Sequence, residues 1–395
     1  MTIPDQEVIN SYVARYFRID DITQGETSGE YLLRYRGHLL VDSMDAFAQL
    51  TAALRPLQMM PVFRKDDAGG QTILILPGLP DPKPSRLIVN VVLFLLTVVS
   101  VVWTGMSYTD PVHLAGADTT QKVVWQSLIY GGFPFAVSLL GILLAHEFGH
   151  YLVARWHKTA ATLPYFIPFP TLLGTMGAVI VWKELPRNKR VLFDVGIAGP
   201  LAGLVVAIPV VIIGLMGSTL GKVVATPGGF IEGNSIIYLL AKLAVFKQLL
   251  PSSPAGYLGL SPLVYWLRFF FTGQPIPLGG TDVFISPVAM AGWAGLLVTS
   301  LNLIPVGQLD GGHVMYVLFG KNLKIAMPVI LGLLTVMGFF WNGWWLWVVM
   351  LLFLGRRSAE PLDQITELDP KRRVLAYFMI LVFLLVFIPV PLISF

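Results

Sequence analysis

His146-Glu147-Phe148-Gly149-His150 puts two imidazoles and a carboxylate within one short stretch. On a helix, positions four apart lie on one face about one turn up, so His146 and His150 can offer ring nitrogens to one ion. Glu147, one step round, then reaches a water held by that ion. This spacing suits metal-assisted hydrolysis, in which a zinc ion lowers the pKa of a water towards about 7 and a carboxylate takes its proton. The bare pattern is moderately specific, and its setting adds weight. Leu139 to Ala145 (LLGILLA) leads straight into it, where a charged side chain near a bilayer centre costs roughly 2.5 to 3.5 kcal/mol. Such a cluster needs a partner. The plain alternative leaves both histidines at a water interface, with Glu147 paired to Arg155 or Lys158.

A catalytic zinc takes a third protein ligand and keeps a fourth position open. Asp310 ends another long uncharged run, in Asn302-Leu303-Ile304-Pro305-Val306-Gly307-Gln308-Leu309-Asp310-Gly311-Gly312-His313, where the glycines let the chain turn tightly. His313 also carries a donor, so residue chemistry alone leaves the choice open. The alternative for Asp310 is a helix cap at an interface turn. Gly149 serves either a close backbone approach or ordinary helix packing.

The elements that must hold these residues are membrane helices. The chain is 55% hydrophobic and 13% charged, with a mean hydropathy of +0.71, which excludes an ordinary soluble enzyme. Leu87 to Gly105, Gln126 to Ala145, Val195 to Gly221, Val283 to Leu309, Ile325 to Gly355 and Val374 to Phe395 lack Asp, Glu, Lys and Arg. Each approaches or exceeds the length of about 20 residues that crosses hydrocarbon. Ile325 to Gly355 is either one tilted span or two helices broken at Trp341-Asn342-Gly343, and Ile236 to Phe271 is apolar but interrupted, so six to eight spans are expected. Lys83, Arg86, Arg155, Lys158, Arg187, Lys189 and Arg190 flank the first three spans and belong on the cytosolic or equivalent side. Lys321, Lys324, Arg356, Arg357 and Lys371 to Arg373 join them if Trp341-Asn342-Gly343 is a hairpin tip. Asp310 reaches the face of the two histidines if Ile236 to Phe271 crosses twice or not at all.

Residues 1–80 read as a small soluble α+β domain. Glu30 to Leu40, Met60 to Arg64 and Thr72 to Leu76 have strand composition, Asp66 to Gly70 has that of a hairpin turn, and Ser43 to Leu54 reads as a helix capped by Asp42. Residues 81–86 complete a stiff, proline-spaced linker, and residues 87–395 form the transmembrane domain. Pro251 to Gly280 reads as a membrane-proximal connection. With no cysteine there is no disulfide or thiolate ligand. Met1 to Asp20 lacks an apolar signal core, so the first span is expected to direct insertion.

A membrane-embedded H-E-x-x-H followed far downstream by N-x-x-P-x-x-x-L-D-G-G resembles the site-2 protease family of intramembrane metalloproteases. Gly174-Thr175-Met176-Gly177-Ala178 and Phe193-Asp194-Val195-Gly196-Ile197-Ala198-Gly199-Pro200-Leu201-Ala202-Gly203 agree with it, and the likeness covers about residues 131–320. The resemblance implies Zn2+ held by His146, His150 and Asp310, with Glu147 as catalytic base. It implies substrate contact at Asn302, Gly174 and Thr175, and a membrane-dipping β region over Thr162 to Lys183. An extended substrate can pair with such an edge. Unlike some members of that family, the sequence carries no recognisable PDZ-like insert or carboxy-terminal nucleotide-binding module, which leaves the N-terminal domain as the soluble candidate for substrate selection.

The expected fold class is thus a polytopic α-helical membrane protein with a small N-terminal α+β soluble domain on the cytosolic side and a membrane-dipping β region. The expected partners are the lipid bilayer and single-span membrane-protein substrates, with no nucleic acid. The competing readings are an ion-binding transporter, which predicts internal pseudo-symmetry that is not seen, and a non-catalytic membrane scaffold.

Overall fold

The computed structural model describes residues 6–25, 31–66, 69–79, 85–225, 229–253, 255–320, 323–354 and 360–394. The N-terminal part contains α1 (Gln6–Ala14), β1 (Phe17–Gln24), β2 (Leu33–Leu39), α2 (Ser43–Leu54), β3 (Met59–Lys65) and β4 (Gln71–Pro77). Its antiparallel sheet has the order β1-β2-β4-β3. Tyr35, Ile73 and Phe63 stand opposite one another across three strands, and all are fully buried. Ile9 and Val13 of α1 and Phe47 and Leu50 of α2 complete this core. The Asp42 carboxylate caps α2 by accepting from the Met44 amide at 2.8 Å. Neither α1 nor β1 was legible in the sequence: β1 (FRIDDITQ) is an edge strand dominated by exposed polar and charged residues, a pattern that blunts a free edge rather than filling a core. Two residues of the Asp66 to Gly70 turn and Pro80 to Pro84 of the proline-spaced linker lie outside the described residues.

The membrane part begins with α3 (Leu87–Met106). Next, α4 (Thr120–Ser127) runs through a wide π turn at Leu128–Gly132 into α5 (Phe133–Trp156). The hairpin of β5 (Tyr165–Pro168) and β6 (Thr175–Val179) follows, then α6 (Lys189–Met216). The hairpin leans along α3: Asn90 Nδ2 donates to the Leu163 and Pro164 carbonyls at 3.0 and 2.9 Å, and the Tyr108 hydroxyl donates to the Leu172 carbonyl at the other end. Between α6 and α9 (Pro287–Asn302) lie β7 (Thr219–Lys222), β8 (Phe230–Glu232), α7 (Ile236–Phe246), α8 (Pro262–Thr272) and β9 (Thr281–Phe284), with β7 paired to β9. The chain continues through α10 (Asp310–Phe319), α11 (Leu323–Met337), α12 (Gly343–Leu354), α13 (Pro370–Val386) and β10 (Leu392–Ser394), which pairs with β8.

Among the described residues, three helices are long and apolar enough to cross a membrane: Leu87–Met106, the continuous Thr120–Trp156 and Lys189–Met216. The other apolar runs are divided. Val283 to Leu309 starts as a strand, is helical for 16 residues and ends in turns. Ile325 to Gly355 breaks before Gly343 into two packed helices, and Val374 to Phe395 ends in β10. At 11 residues each, α7 and α8 reach only about 16 Å at 1.5 Å per residue, well short of a roughly 30 Å hydrocarbon core. Hydropathy marks which segments avoid water but does not locate the breaks, which Pro, Gly and strand pairing set.

The segment Leu362–Thr366, here called the strap, ties the N-terminal sheet to the membrane part. The Phe63 amide donates to the Leu362 carbonyl at 2.9 Å, the Gln364 amide to the Phe63 carbonyl at 3.2 Å, and the Leu362 and Asp363 amides to the Pro186 and Arg187 carbonyls at 2.9 and 2.8 Å. Fully buried Asp363 accepts from the Ser43 hydroxyl at 2.9 and 2.8 Å, from the Ile365 and Thr366 amides, and from the Thr366 hydroxyl.

Candidate metal centre and its cavity

Helix α5 supplies His146, Glu147 and His150, all buried, and α10 supplies Asp310 from its first turn. The close packing of α6 against α5 explains the glycines. A Cβ on Gly149 would lie 2.5 Å from the Ala198 carbonyl oxygen, so Gly149 serves a close backbone approach. A Cβ on Gly199 would lie 2.0 Å from His150 Nε2. The space that His150 occupies exists because α6 has no side chain there.

His146 Nε2 and His150 Nε2 lie 3.2 Å apart, and each lies 3.3 Å from Asp310 Oδ2. Ligands about 2.0 to 2.1 Å from a tetrahedral zinc are separated by about 3.3 to 3.4 Å, so this near-equilateral triangle has the size of one face of a zinc coordination shell. His150 Nδ1 lies 2.7 Å from the Val195 carbonyl oxygen. That bond places the proton on Nδ1 and leaves the Nε2 lone pair directed at the triangle, as metal-binding imidazoles require. The donor set, its spacing and the fixed tautomer fit zinc. Among the described residues, His146, His150 and Asp310 form the one group of three or more His, Asp or Glu donors with this closeness. His313 is buried nearby but stands outside the triangle, its Cβ 3.0 Å from where a Cβ on Gly196 would lie.

A cavity of about 780 Å³ opens on the group, lined among others by Glu147, Ala178 to Trp182, Asn302, Gln308, His313 and Glu360. Asn302 Nδ2 lies 3.2 Å from His146 Nε2, placing its amide beside the donor triangle. One edge of the Ala178–Lys183 stretch is taken, since Phe166 pairs with Ala178 and Thr162 and Ala160 bond Val181 and Lys183. Gly174 and Thr175 lie elsewhere: neither lines the cavity. Gly174, at φ +73°, sits where a Cβ would meet the Val101 backbone of α3 at 2.6 Å. The Thr175 hydroxyl bonds the Ile167 and Gly177 carbonyls at 2.8 and 3.1 Å within the hairpin. Both shape the hairpin that carries the cavity wall.

The sequence matches the family model of Peptidase family M50 over residues 134–339, more than half the chain. The chain belongs to peptidase family M50. This is the site-2 protease family that the motifs resemble, and membership in it sets aside the transporter reading. Among curated proteins, the chain is 29% identical over 353 residues to the Arabidopsis thaliana protein named probable zinc metalloprotease EGY1, chloroplastic, covering 82% of this chain and 58% of that protein. It is 28% identical to the Oryza sativa subsp. japonica EGY1 protein, covering 83% and 55%. It is 30% identical to a probable zinc metalloprotease EGY2, chloroplastic, of Oryza sativa subsp. indica, covering 67% and 44%. The chain thus spans little more than half the length of the EGY1 proteins.

In and around this metal centre, sequence reasoning missed three features. The Val195 carbonyl that orients His150 has no side-chain signature. Gly196, Gly199 and Gly203 recur at helical spacing in the quoted motif, which was the available signal for a helix face packed on the histidines. Glu360 stands 50 residues beyond Asp310 and lines the cavity just ahead of the strap, which no local pattern announces. Its neighbour Arg64 donates from Nη1 to the Phe63, Pro361 and Leu362 carbonyls at 3.0 Å each. Burial lowers the Arg64 guanidinium below its ordinary pKa, while the Glu360 carboxylate opposes that shift.

Proposed function

We propose that this protein is an intramembrane zinc endopeptidase that hydrolyses peptide bonds of single-span membrane proteins within or beside the bilayer, as a step in regulated proteolysis. The observation that carries this reading is the triangle of His146, His150 and Asp310 donors opening, with Glu147, on one cavity. His146 and His150 through Nε2 and Asp310 through Oδ2 would hold the zinc. Bound there, zinc supplies Lewis-acid chemistry, polarising a peptide carbonyl and acidifying water. Glu147 takes the proton of the attacking water and later gives one to the leaving amine. Asn302 offers amide hydrogens to the carbonyl oxygen of the scissile bond. A helical substrate hides its backbone in internal hydrogen bonds, so it must unwind before it is cut. The edge of the Ala178 to Val181 stretch that has no strand partner among the described residues then receives the extended segment as an added strand.

The topology we favour has seven crossings, formed by α3, α4–α5, α6, α9, α11, α12 and α13; α11 and α12 are short but pack on each other as a hairpin, and α7 and α8 do not cross. Two contacts support it. β10 after α13 pairs with β8, and Trp344 Nε1 at the start of α12 donates to the Pro389 carbonyl at 2.6 Å, which brings the α11–α12 tip to the far end of α13. The N-terminal domain, residues 1–80, then lies on the cytosolic or equivalent side with the active site.

Purified protein reconstituted in liposomes with a single-span substrate should lose cleavage when a chelator removes the metal and regain it on addition of stoichiometric zinc. Cleavage that survives complete metal removal, or no cleavage by zinc-loaded protein, would overturn the proposal.

A further inference from the structure

Among the described residues, the cavity wall carries Glu147, Asp310 and Glu360 and no Lys or Arg. Glu147 and Asp310 belong to the metal centre. Glu360 is exposed and stands at the rim. Its carboxylate is held rather than free to sweep, because Gln364 Nε2 donates to Glu360 Oε2 at 2.7 Å. The backbone that follows is pinned from both sides: Arg64 bonds the Pro361 and Leu362 carbonyls, and the Leu362 amide reaches the Pro186 carbonyl at 2.9 Å. Leu362 itself is buried in the core of the N-terminal sheet. Arg64 commits Nη1 to the Phe63, Pro361 and Leu362 carbonyls and its charge also acts on Glu360, while Glu360 lines the cavity.

We propose that Glu360 is a specificity-determining residue that binds a Lys or Arg side chain in the substrate segment leaving the cavity towards the N-terminal sheet. This rests on the protease reading above and names the substrate feature that reading leaves open. Membrane proteins concentrate Lys and Arg in short flanks on the cytosolic side of their spans, the side on which the N-terminal sheet is placed. A segment drawn out of a span into this cavity brings such a flank past the rim. An isolated ion pair in open water is worth about 0 to 1 kcal/mol. Here the wall also carries the apolar Val179, Val181 and Leu185, and a low-dielectric wall near the Glu360 carboxylate strengthens the attraction. The N-terminal sheet thus contributes to selection by seating the strap that presents Glu360.

A charge-reversal square tests this. Wild type and Glu360→Lys, both zinc-loaded and reconstituted, are given one single-span substrate with Lys, Gln or Glu at its flanking positions on the N-terminal-sheet side. Wild type should prefer the Lys substrate to the Glu substrate by about tenfold in kcat/KM, carried mainly by KM, as loss of a ground-state contact requires. Glu360→Lys should invert the order, and Glu360→Gln should flatten it while retaining stoichiometric zinc. Equal cleavage of the three substrates by wild type, or an unchanged preference in Glu360→Lys, overturns this inference and leaves the protease reading standing. Cleavage of none of them by wild type overturns both.

Discussion

Two glycines on one face of α6 make opposite demands. A Cβ on Gly199 would lie 2.0 Å from His150 Nε2, whereas a Cβ on Gly203 would lie 3.2 Å from the Cβ and Nδ1 of His146. Gly199→Ala must therefore push the imidazole off the donor triangle, and bound zinc should fall from one per chain to a small fraction. Gly203→Ala needs an adjustment of only tenths of an ångström and should keep most of its zinc. Metal analysis of the two purified variants checks this, and equal retention would contradict the packing described. His146, Glu147 and His150 stood out as candidates from their spacing because their chemistry is written in side chains, whereas residue chemistry left Asp310 and His313 open and the choice of Asp310 came from the family resemblance. The Val195 carbonyl did not stand out, since a backbone acceptor looks the same in every sequence.

At the scale of elements, the face remote from the metal centre is held by a buried charge group. Lys242 on α7 is fully buried and lies 2.9 Å from Glu232 of β8 and 3.3 Å from Asp282 of β9. Tyr238, one turn back, donates its hydroxyl to Glu232 at 3.0 Å. Lys242→Met keeps the side-chain length and leaves two buried carboxylates uncompensated. Breaking a buried pair in this way costs about 3 to 5 kcal/mol, so the unfolding temperature in detergent should fall markedly. An unchanged temperature would show that the lysine holds nothing. In the sequence Lys242 only interrupted an apolar run, because the acids that satisfy it come from different strands. The same limit applies to the spans: α3, α4–α5 and α6 were readable from length and hydropathy, but the strands β9 and β10 at the ends of apolar runs are fixed by partners far along the chain.

At the scale of the whole molecule, residues 360–366 join the N-terminal sheet, whose core includes Leu362, to the metal-centre cavity, which Glu360 lines. Asp363→Ala would leave the Ser43 and Thr366 donors without their buried acceptor. Such a loss costs about 1 to 3 kcal/mol, so amide exchange at Phe63 and Leu362 should quicken by roughly tenfold to a hundredfold. Unchanged exchange would mean that the strap is held without Asp363. This docking was invisible in the sequence, where Leu362 to Thr366 (LDQIT) lies some 300 positions from Phe63 and carries no motif. The claim at the centre of the account is that His146, His150 and Asp310 hold zinc while Glu147 moves the proton. The most direct test measures zinc content and substrate cleavage together in Glu147→Gln and Asp310→Ala. Glu147→Gln should keep one zinc per chain and lose about a hundredfold to ten-thousandfold in cleavage, and Asp310→Ala should lose the zinc itself. Wild-type cleavage by Glu147→Gln, or full zinc occupancy in Asp310→Ala, would contradict it.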